Sequence, residues 1–350
     1  MMERRRVKIR SRAPLRLGIA GGGTDVSPYC DVHGGHVLNA TINRYAYAVI
    51  KINDGGRVKF NATDLQKSVE FDIDAFPFSL EGDLILHKAV YNYLILAYND
   101  GKPLPLELRT FCDAPAGSGL GSSSTLVVAM IQAFVELFNL GLDDHAVAQM
   151  AFDIERVQCN LQGVRQDQYA ATFGGFNFME FYEDNRAVIN SLRLKEWIVC
   201  ELEASLVMFF SGISRESAKI IEDQSKNVNS GPKGALQAMH GVKEQARIMK
   251  ENLLRGDFDG YVEAMRIGWQ EKKRSAKTVS TPYLDEIFDS AIEAGASAGK
   301  VSGAGGGGFM MFFVPTEKRM DVIRRLNLFE GGHVSNCHFT PLGSQAWRVK

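Results

Sequence analysis

The feature that most constrains this chain is a loop rich in glycine and serine that precedes an apolar segment. Residues 115–124 read PAGSGLGSSS, and the apolar residues after them recur at helical spacing as far as Phe138. Glycines at every second position allow tight turns and leave backbone N–H groups uncovered. The start of a helix adds unpaired N–H donors and a partial positive charge. The segment therefore predicts an anion site for the phosphates of a nucleotide, with a serine-capped flexible loop as the alternative.

Two further glycine clusters lie far from this loop along the chain. Residues 12–25 read RAPLRLGIAGGGTD, and residues 300–309 read KVSGAGGGGF. The first predicts a sharp turn that presents Asp25, with an Asx-turn as the alternative. The second lets a backbone or ligand approach closely between two strands, with a bulged hairpin as the alternative. No G-x-x-x-x-G-K-[ST] string occurs, and the G-x-G-x-x-G match at residues 303–308 lacks the helix that a dinucleotide site needs.

The composition limits the class of protein. The 350 residues include 40 Lys and Arg against 41 Asp and Glu, which gives a net charge of −1, and 45% are hydrophobic. This apolar content supports a folded core, and the neutral balance is not typical of a general nucleic-acid binder. No apolar run approaches the roughly 18 residues of a membrane helix, so we expect no membrane partner. Because the charge is nearly neutral, we also expect no nucleic-acid partner. Five widely separated cysteines predict reduced thiols in a cytoplasmic protein.

The spacing of apolar residues predicts an α+β chain with two domains. Strands are expected in the first 115 residues, around a helix near residues 84–98. Further helices are expected near residues 124–138, 143–159, 166–171, 215–226, 233–254, 258–273, 282–294 and 317–326. Further strands are expected near residues 176–181, 205–210, 299–301, 309–314 and 333–339. Because neither half alternates strand and helix strictly, we place a domain boundary near residue 195, between residues 1–195 and residues 196–350.

The order and spacing of the three glycine segments resemble those of the GHMP kinase superfamily, which includes galactokinase, homoserine kinase and mevalonate kinase. Within it, the heptose 7-phosphate kinases resemble this chain at residues 12–29, 39–47, 166–170 and 211–215. The resemblance spans nearly the whole chain. It implies an N-terminal domain like the second domain of ribosomal protein S5, a ferredoxin-like C-terminal domain, and ATP bound between them.

The resemblance also implies site residues. The ATP phosphate loop would comprise Pro115, Ala116, Gly117, Ser118, Gly119, Leu120, Gly121, Ser122, Ser123 and Ser124. Asp167 matches the catalytic aspartate, and Arg16 matches the basic residue of the first motif. Asp167 would accept the proton of the attacking hydroxyl or orient that hydroxyl, while Arg16 would keep Asp167 ionised and offset transferred charge. Taken alone, Asp167 is also typical of a helix start, and Arg16 of a surface strand.

The implied cofactors are ATP and Mg²⁺. Glu155 matches the magnesium-binding glutamate of the family, and Ser123, with Ser122 as the alternate, would supply a hydroxyl ligand. Mg²⁺ takes oxygen ligands from one or two side chains, from nucleotide phosphates and from water. The competing interpretation of Glu155 is a solvated carboxylate paired with Lys or Arg.

Eight residues are candidates for binding the acceptor sugar: Gly22, Gly23, Thr24, Asp25, Arg165, Arg215, Gly305 and Gly306. Asp25 matches a sugar-binding aspartate of galactokinases, which carry Glu-His where Gly22 and Gly23 stand. This difference argues that galactose is not the substrate, and it leaves room for a larger or phosphorylated sugar. A phosphorylated sugar needs a cationic pocket, for which Arg165 and Arg215 are the candidates, with a structural ion pair as the alternative for each.

The implied function is an ATP- and Mg²⁺-dependent kinase acting on the anomeric hydroxyl of D-glycero-D-manno-heptose 7-phosphate. Its product, heptose 1,7-bisphosphate, would feed the synthesis of nucleotide-activated heptose. One alternative is a kinase of the same superfamily for L-fucose, for unphosphorylated heptose or for another sugar phosphate. A second is an ATP-binding regulator without catalysis, although such proteins usually lose a catalytic residue. The sequence is also compatible with a homodimer.

Overall fold

The computed structural model describes residues 7–214, 217–230 and 233–349. The strands in these residues are β1 (Lys8–Ala20), β2 (Gly35–Ile52), β3 (Arg57–Ala62), β4 (Lys67–Asp72), β5 (Leu106–Cys112), β6 (Phe176–Phe181), β7 (Ala187–Ser191), β8 (Leu206–Phe210), β9 (Ala298–Val301), β10 (Phe309–Phe313), β11 (His333–Ser335) and β12 (Gln345–Val349). The α-helices are α1 (Tyr29–His33), α2 (Ile85–Tyr98), α3 (Ser122–Phe138), α4 (Asp144–Phe152), α5 (Gln166–Phe173), α6 (Glu196–Ser205), α7 (Ser217–Ser230), α8 (Lys233–Arg255), α9 (Phe258–Ser275), α10 (Pro282–Glu293) and α11 (Arg319–Leu326). A π-helical segment, Asp153–Gln158, continues α4.

The strands form two sheets. The larger sheet has eight strands in the order β12-β1-β2-β5-β3-β4, with β6 and then β7 joined to the first part of β2. Residues 35–40 of β2 pair with β6 and residues 46–52 pair with β5, so this long strand serves two neighbours on one side. The pairing of β3 with β5 is parallel and the other pairings are antiparallel. The smaller sheet is antiparallel, in the order β11-β8-β10-β9.

Helix α3 packs on the larger sheet because most of its residues are apolar. Val127 and Phe134 are fully buried in one cluster with Ile9 of β1. The backbone N–H of Arg16 in β1 donates to the carbonyl oxygen of Leu120 at 3.1 Å. The glycine- and serine-rich loop is therefore fixed beside β1 at the point where α3 begins.

The two halves of the chain share an apolar cluster. Ile19 of β1 and Phe178 of β6 lie in it together with Met249 of α8 and Met265 of α9. This packing holds helices of the second half against the end of β1, directly before Gly21 of the first glycine segment. The three glycine segments meet nearby, since a Cβ on Gly18 would lie 3.5 Å from Gly303 N and one on Gly119 would lie 2.5 Å from Ser302 O.

The α+β class predicted from the sequence is confirmed. The helix expected near residues 143–159 is α4 followed by the π-helical segment, and the strand expected near residues 333–339 ends at Ser335. Strand β12 was not predicted, and it returns the end of the chain to the first sheet by pairing with β1. The boundary near residue 195 stays a prediction. Within the described ranges, no helix has the length and apolar content that crossing a membrane requires.

Candidate active site

The second and third glycine segments touch backbone to backbone. A Cβ added to Gly119 would lie 2.5 Å from the carbonyl oxygen of Ser302, and one added to Gly303 would lie 2.8 Å from that of Gly119. Gly119 also has a φ of +80°, which side chains rarely adopt. The N–H of Phe309 donates to the Ser118 carbonyl oxygen at 2.9 Å. Glycine is therefore required at this contact by both space and backbone conformation.

A cavity of about 580 Å³ opens beside this contact. Of the predicted phosphate loop, seven residues line it: Ala116, Gly117, Gly119, Gly121, Ser122, Ser123 and Ser124. Ser118 and Leu120 are instead fully buried beneath the loop, and Pro115 is not part of the cavity wall. The volume is within the usual range for a small-molecule site.

The start of α3 has no side-chain cap. The N-cap residue is Gly121, with a φ of +76°, so it has no side chain that could cap the first turn of the helix. The alternative of a serine-capped loop is therefore wrong. The N–H groups of this first turn and the partial positive charge of the helix start remain available to an anion in the cavity.

Asp167 and Arg16 meet in the wall of the cavity. Nε of Arg16 donates to Oδ1 of Asp167 at 2.8 Å, and Nη2 of Arg16 lies 2.7 Å from the same oxygen. The second carboxylate oxygen, Oδ2, faces the phosphate loop, since a Cβ on Gly121 would lie 3.0 Å from it. Nη1 of Arg16 also donates to the carbonyl oxygen of Gly119. Both side chains are nearly buried, so Arg16 joins the carboxylate directly to the loop.

Glu155 lies on the π-helical segment and is 1% exposed. Its two oxygens accept hydrogen bonds from Ser123 Oγ at 2.7 Å, Ser124 Oγ at 2.6 Å and Gln168 Nε2 at 2.8 Å. Arg156 Nη1 lies 3.4 Å from Oε1. Glu155 is thus not a solvated helix-face carboxylate, and it joins the phosphate loop to α5 through hydrogen bonds.

The same residues fit a magnesium ion. Ser123 Oγ and Glu155 both line the cavity and are hard oxygen donors, the ligand type that Mg²⁺ prefers. No group of three or more His, Cys, Asp or Glu side chains in the described part of the chain has the geometry of a metal site. One carboxylate and one hydroxyl suit Mg²⁺, which takes its remaining ligands from nucleotide phosphates and water. Ser124, rather than the alternate Ser122, is the second serine that bonds to Glu155.

Asp25 is fully buried and does not line the cavity. Its carboxylate accepts hydrogen bonds from the backbone N–H groups of Gly23 at 3.1 Å and of Arg165 and Gln166 at 3.0 Å each. Burial raises the pKa of Asp25 above its ordinary value, while the hydrogen bonds from Gln166 and Gly23 oppose the rise. Asp25 therefore holds the first turn of α5, the helix that carries Asp167, to the first glycine segment.

Of the other predicted sugar-binding residues, some line the cavity and others do not. Gly22 and Gly23 line the cavity, whereas Thr24 is fully buried and donates to the Gly21 carbonyl oxygen at 2.7 Å. Gly305 and Gly306 pack on Val279, whose carbonyl oxygen accepts a hydrogen bond from Gly306 N at 2.8 Å. Arg215 lies outside the described residues.

Arg165 points away from the cavity. Its guanidinium donates to the Tyr182 carbonyl oxygen at 3.0 Å, to Ser27 Oγ at 2.8 Å and to Asp31 Oδ1 at 3.1 Å. Its side chain is 11% exposed and does not line the cavity. These contacts match the alternative predicted for Arg165, a structural ion pair.

Two buried lysines near the cavity are missing from the sequence prediction. Nζ of Lys272, on α9, donates to the Gly303 carbonyl oxygen at 2.5 Å, and Nζ of Lys300 donates to that of Gly18 at 2.5 Å. Burial lowers the pKa of Lys272 to about 8; the nearby Asp25 opposes this shift and Arg16 adds to it. Burial also lowers the pKa of Lys300 well below its ordinary value. Lys300 is the first residue of the third glycine segment, a signal that could have identified it.

Comparison with known proteins gives two family matches and several relatives. The family models named GHMP kinases N terminal domain and GHMP kinases C terminal match residues 85–175 and 249–328. The D-glycero-alpha-D-manno-heptose 7-phosphate kinase of Campylobacter jejuni is 45% identical, over 97% of this chain and 99% of the relative. The crystal structure of a D-glycero-D-manno-heptose 1-phosphate kinase from Bacteroides thetaiotaomicron is 41% identical, with a TM-score of 0.82 over 98% of this chain and 99% of the other. Methanococcus jannaschii mevalonate kinase, at 19% identity and a TM-score of 0.76, covers 95% of this chain and 98% of its own, and shares the fold.

Proposed function

This chain belongs to the GHMP kinase family, and we propose that it phosphorylates the anomeric hydroxyl of D-glycero-D-manno-heptose 7-phosphate with ATP. The enzyme is a phosphotransferase that uses an alcohol group as acceptor. The observation that carries the proposal is the position of Asp167, held by Arg16 beside an uncapped helix start in one cavity. A kinase needs this combination because it must align a hydroxyl with a bound phosphoryl group.

ATP binds in this proposal with its phosphates at the phosphate loop. The first turn of α3 supplies N–H donors, and the glycines allow the backbone to approach the phosphates closely. Glu155 and Ser123 would hold Mg²⁺, which neutralises charge on the nucleotide phosphates when it is bound. The contact of Ser302 and Gly303 with the loop keeps the loop in one conformation before ATP arrives.

Asp167 acts on the acceptor hydroxyl. Because Arg16 occupies Oδ1, the carboxylate orientation is fixed and Oδ2 remains available to the hydroxyl. Asp167 orients the attacking oxygen and is positioned to accept its proton. The guanidinium of Arg16 lies between Asp167 and Gly119, where it offsets charge on the transferred phosphoryl group. The product is heptose 1,7-bisphosphate, a precursor for nucleotide-activated heptose.

The names of the relatives differ on the position of the substrate phosphate. One is called a 7-phosphate kinase and the other a 1-phosphate kinase. We favour the 7-phosphate, whose free anomeric hydroxyl receives the phosphoryl group, because the relative with that name is the more similar of the two at 45% identity. L-fucose and unphosphorylated heptose are the alternative acceptors.

The proposal also covers the required cation, the cellular location, the oligomeric state and the role of Arg215. Mg²⁺ is the required cation, and its removal with EDTA should abolish turnover. The enzyme acts in the cytoplasm and forms a homodimer. Arg215 contributes to the pocket for the substrate phosphate.

The test is ATP-dependent ADP release over a panel of acceptors: D-glycero-D-manno-heptose 7-phosphate, the corresponding 1-phosphate, the free heptose, mannose, L-fucose, galactose and mevalonate. We expect rapid turnover with the 7-phosphate alone. Asp167→Asn should lower kcat at least about 100-fold. Asp144→Asn, an exposed aspartate in the first turn of α4, is the matched control and should leave kcat unchanged. Turnover restricted to another acceptor would contradict the substrate, and full activity of Asp167→Asn would contradict the mechanism.

A further inference from the structure

The proposed function makes no use of Gln224, although this side chain lies in the cavity wall. Gln224 belongs to α7, in the second half of the chain, and is 4% exposed. It stands opposite Gly23: a Cβ on that glycine would lie 3.1 Å from Gln224 Oε1. The amide therefore occupies the part of the cavity wall that lies against the first glycine segment.

The orientation of the Gln224 amide is fixed by Ser275. Ser275 Oγ donates its hydrogen to the carbonyl oxygen of Lys272 at 2.7 Å, so toward Gln224 it can only accept. Gln224 Nε2 donates to Ser275 Oγ at 2.9 Å. The amide nitrogen consequently bonds to Ser275, and the amide oxygen, the polar atom nearest to a Cβ on Gly23, is left to accept a hydrogen bond.

Oε1 of Gln224 accepts no hydrogen bond from the described residues. This oxygen is not fully enclosed, so it is open to the cavity, where a ligand can donate a hydrogen bond to it. The oxygens of an ionised phosphate are acceptors and cannot supply this donor, whereas a sugar hydroxyl can. The oxygen thus favours a hydroxyl over a phosphate oxygen at this position.

The rest of the same helix face is suited to a sugar ring. Ala218 and Ile221 precede Gln224 at intervals of three residues, and all three line the cavity. An apolar surface beside one hydrogen-bond acceptor matches the C–H face and a hydroxyl of a pyranose. Gly22 and Gly23 opposite it add no side chains, which leaves room for the ring.

We propose that Gln224 is a specificity-determining residue that accepts a hydrogen bond from a ring hydroxyl of the acceptor sugar. This inference rests on the proposed function, because it assumes that the acceptor is a sugar in this cavity. It adds that recognition of the sugar comes partly from α7, a helix of the second half of the chain.

The experiment compares Gln224→Leu with Asn227→Leu. Asn227 lies one turn further along α7, and its Nδ2 donates to the backbone oxygen of Ser275 at 3.0 Å, but it does not line the cavity. Gln224→Leu should raise the KM for heptose 7-phosphate about 10-fold and leave the KM for ATP within about 2-fold. Asn227→Leu should change neither. If Gln224→Leu fails to fold, Gln224→Met, which preserves the shape of the side chain, replaces it.

Singly deoxygenated heptose 7-phosphates provide the second measurement. The wild-type enzyme should discriminate about 10-fold against one of these analogues, and Gln224→Leu should lose that discrimination. An unchanged sugar KM in Gln224→Leu, or unchanged discrimination against every analogue, would overturn the inference.

The two proposals can fail separately. If the wild type uses another sugar of the panel, the assigned substrate is wrong, and the same comparison on that sugar still decides the role of Gln224. If no panel sugar is turned over or bound in calorimetry, the inference on Gln224 is overturned together with its premise.

Discussion

The carboxylate of Asp167 has one oxygen held by Arg16 and one that faces the phosphate loop. The same guanidinium reaches Gly119 through a third nitrogen. A planar group with several donors is needed for this, since an ammonium concentrates its donors at one point. Arg16 is thus a positioning residue for Asp167 as well as a source of positive charge.

Arg16→Lys should therefore lower kcat about 100-fold while changing the KM for ATP much less. Steady-state kinetics with the preferred acceptor measures both values. Arg12→Lys is the matched control, because Arg12 lies on the same strand and bonds to Gln345 outside the cavity. Equal losses of kcat in the two variants would contradict the assigned role.

Single residues also show which features of the site a sequence motif can predict and which it cannot. The sequence predicts site roles for Asp167, Arg16, Glu155 and Ser123, and the structure brings all four to one cavity. It did not show that Asp25 is buried as a cap for α5, because a motif gives the residue type and not the direction of its side chain. Gln224 belongs to no sequence motif, and its position in the site becomes evident from its tertiary contact with Gly23.

At the scale of elements, the glycine segments act through close backbone contact. Gly119 has no space for a side chain beside Ser302, and its φ of +80° is unfavourable for other residues. The contact fixes the phosphate loop against the loop between β9 and β10. In the proposed mechanism, binding of the nucleotide phosphates therefore depends on an element that lies almost 200 residues away in the sequence.

Gly119→Ala should lower the free energy of unfolding by at least about 2 kcal/mol and raise the KM for ATP. Urea denaturation and steady-state kinetics measure these effects. Gly141→Ala is the control, since a Cβ there would meet no atom within 4 Å and the position has no positive φ. Its stability should be unchanged or slightly higher, and a comparable loss in both variants would contradict the packing argument.

Elements were predicted well where the apolar spacing is long and regular, whereas the helix α6 was not predicted. Helices α2, α3 and α5 were expected from apolar spacing close to their observed positions. The π-helical segment was expected as ordinary helix, because it is short and ends the helix, so few residues after it could show the changed spacing. Strand β12 was missed because its partner β1 lies at the other end of the chain.

At the scale of the whole molecule, buried lysines join the two halves. Lys272 on α9 reaches the third glycine segment, and a Cβ on Gly22 of the first segment would lie 3.4 Å from its Nζ. Lys300 in β9 donates to the carbonyl oxygen of Gly18 in β1. No local pattern predicts such contacts, since they depend on how the two sheets and their helices come together.

Lys272 should make stability depend on pH. Its pKa is about 8 in the folded protein and 10.5 ordinarily, so between these values the unfolded chain binds a proton that the folded chain lacks. The free energy of unfolding of the wild type, relative to Lys272→Met, should rise with pH across this window, by up to about 3 kcal/mol. The gain is lost as the pH falls through about 8.

Urea denaturation of both proteins across this pH window measures the difference. Lys273→Met is the control, because its side chain is partly exposed and bonds to Asp285. Its stability difference from the wild type should stay constant. A constant difference for Lys272→Met as well would contradict the buried position of this ammonium group.

The central claim is that the cavity aligns an anomeric hydroxyl with ATP through Asp167. The most direct test is ³¹P NMR of the products formed from D-glycero-D-manno-heptose 7-phosphate, ATP and Mg²⁺. We predict a second phosphate ester at the anomeric carbon, formed by the wild type and absent with Asp167→Asn. A new ester at any other carbon, or its formation at the wild-type rate by Asp167→Asn, would contradict the claim.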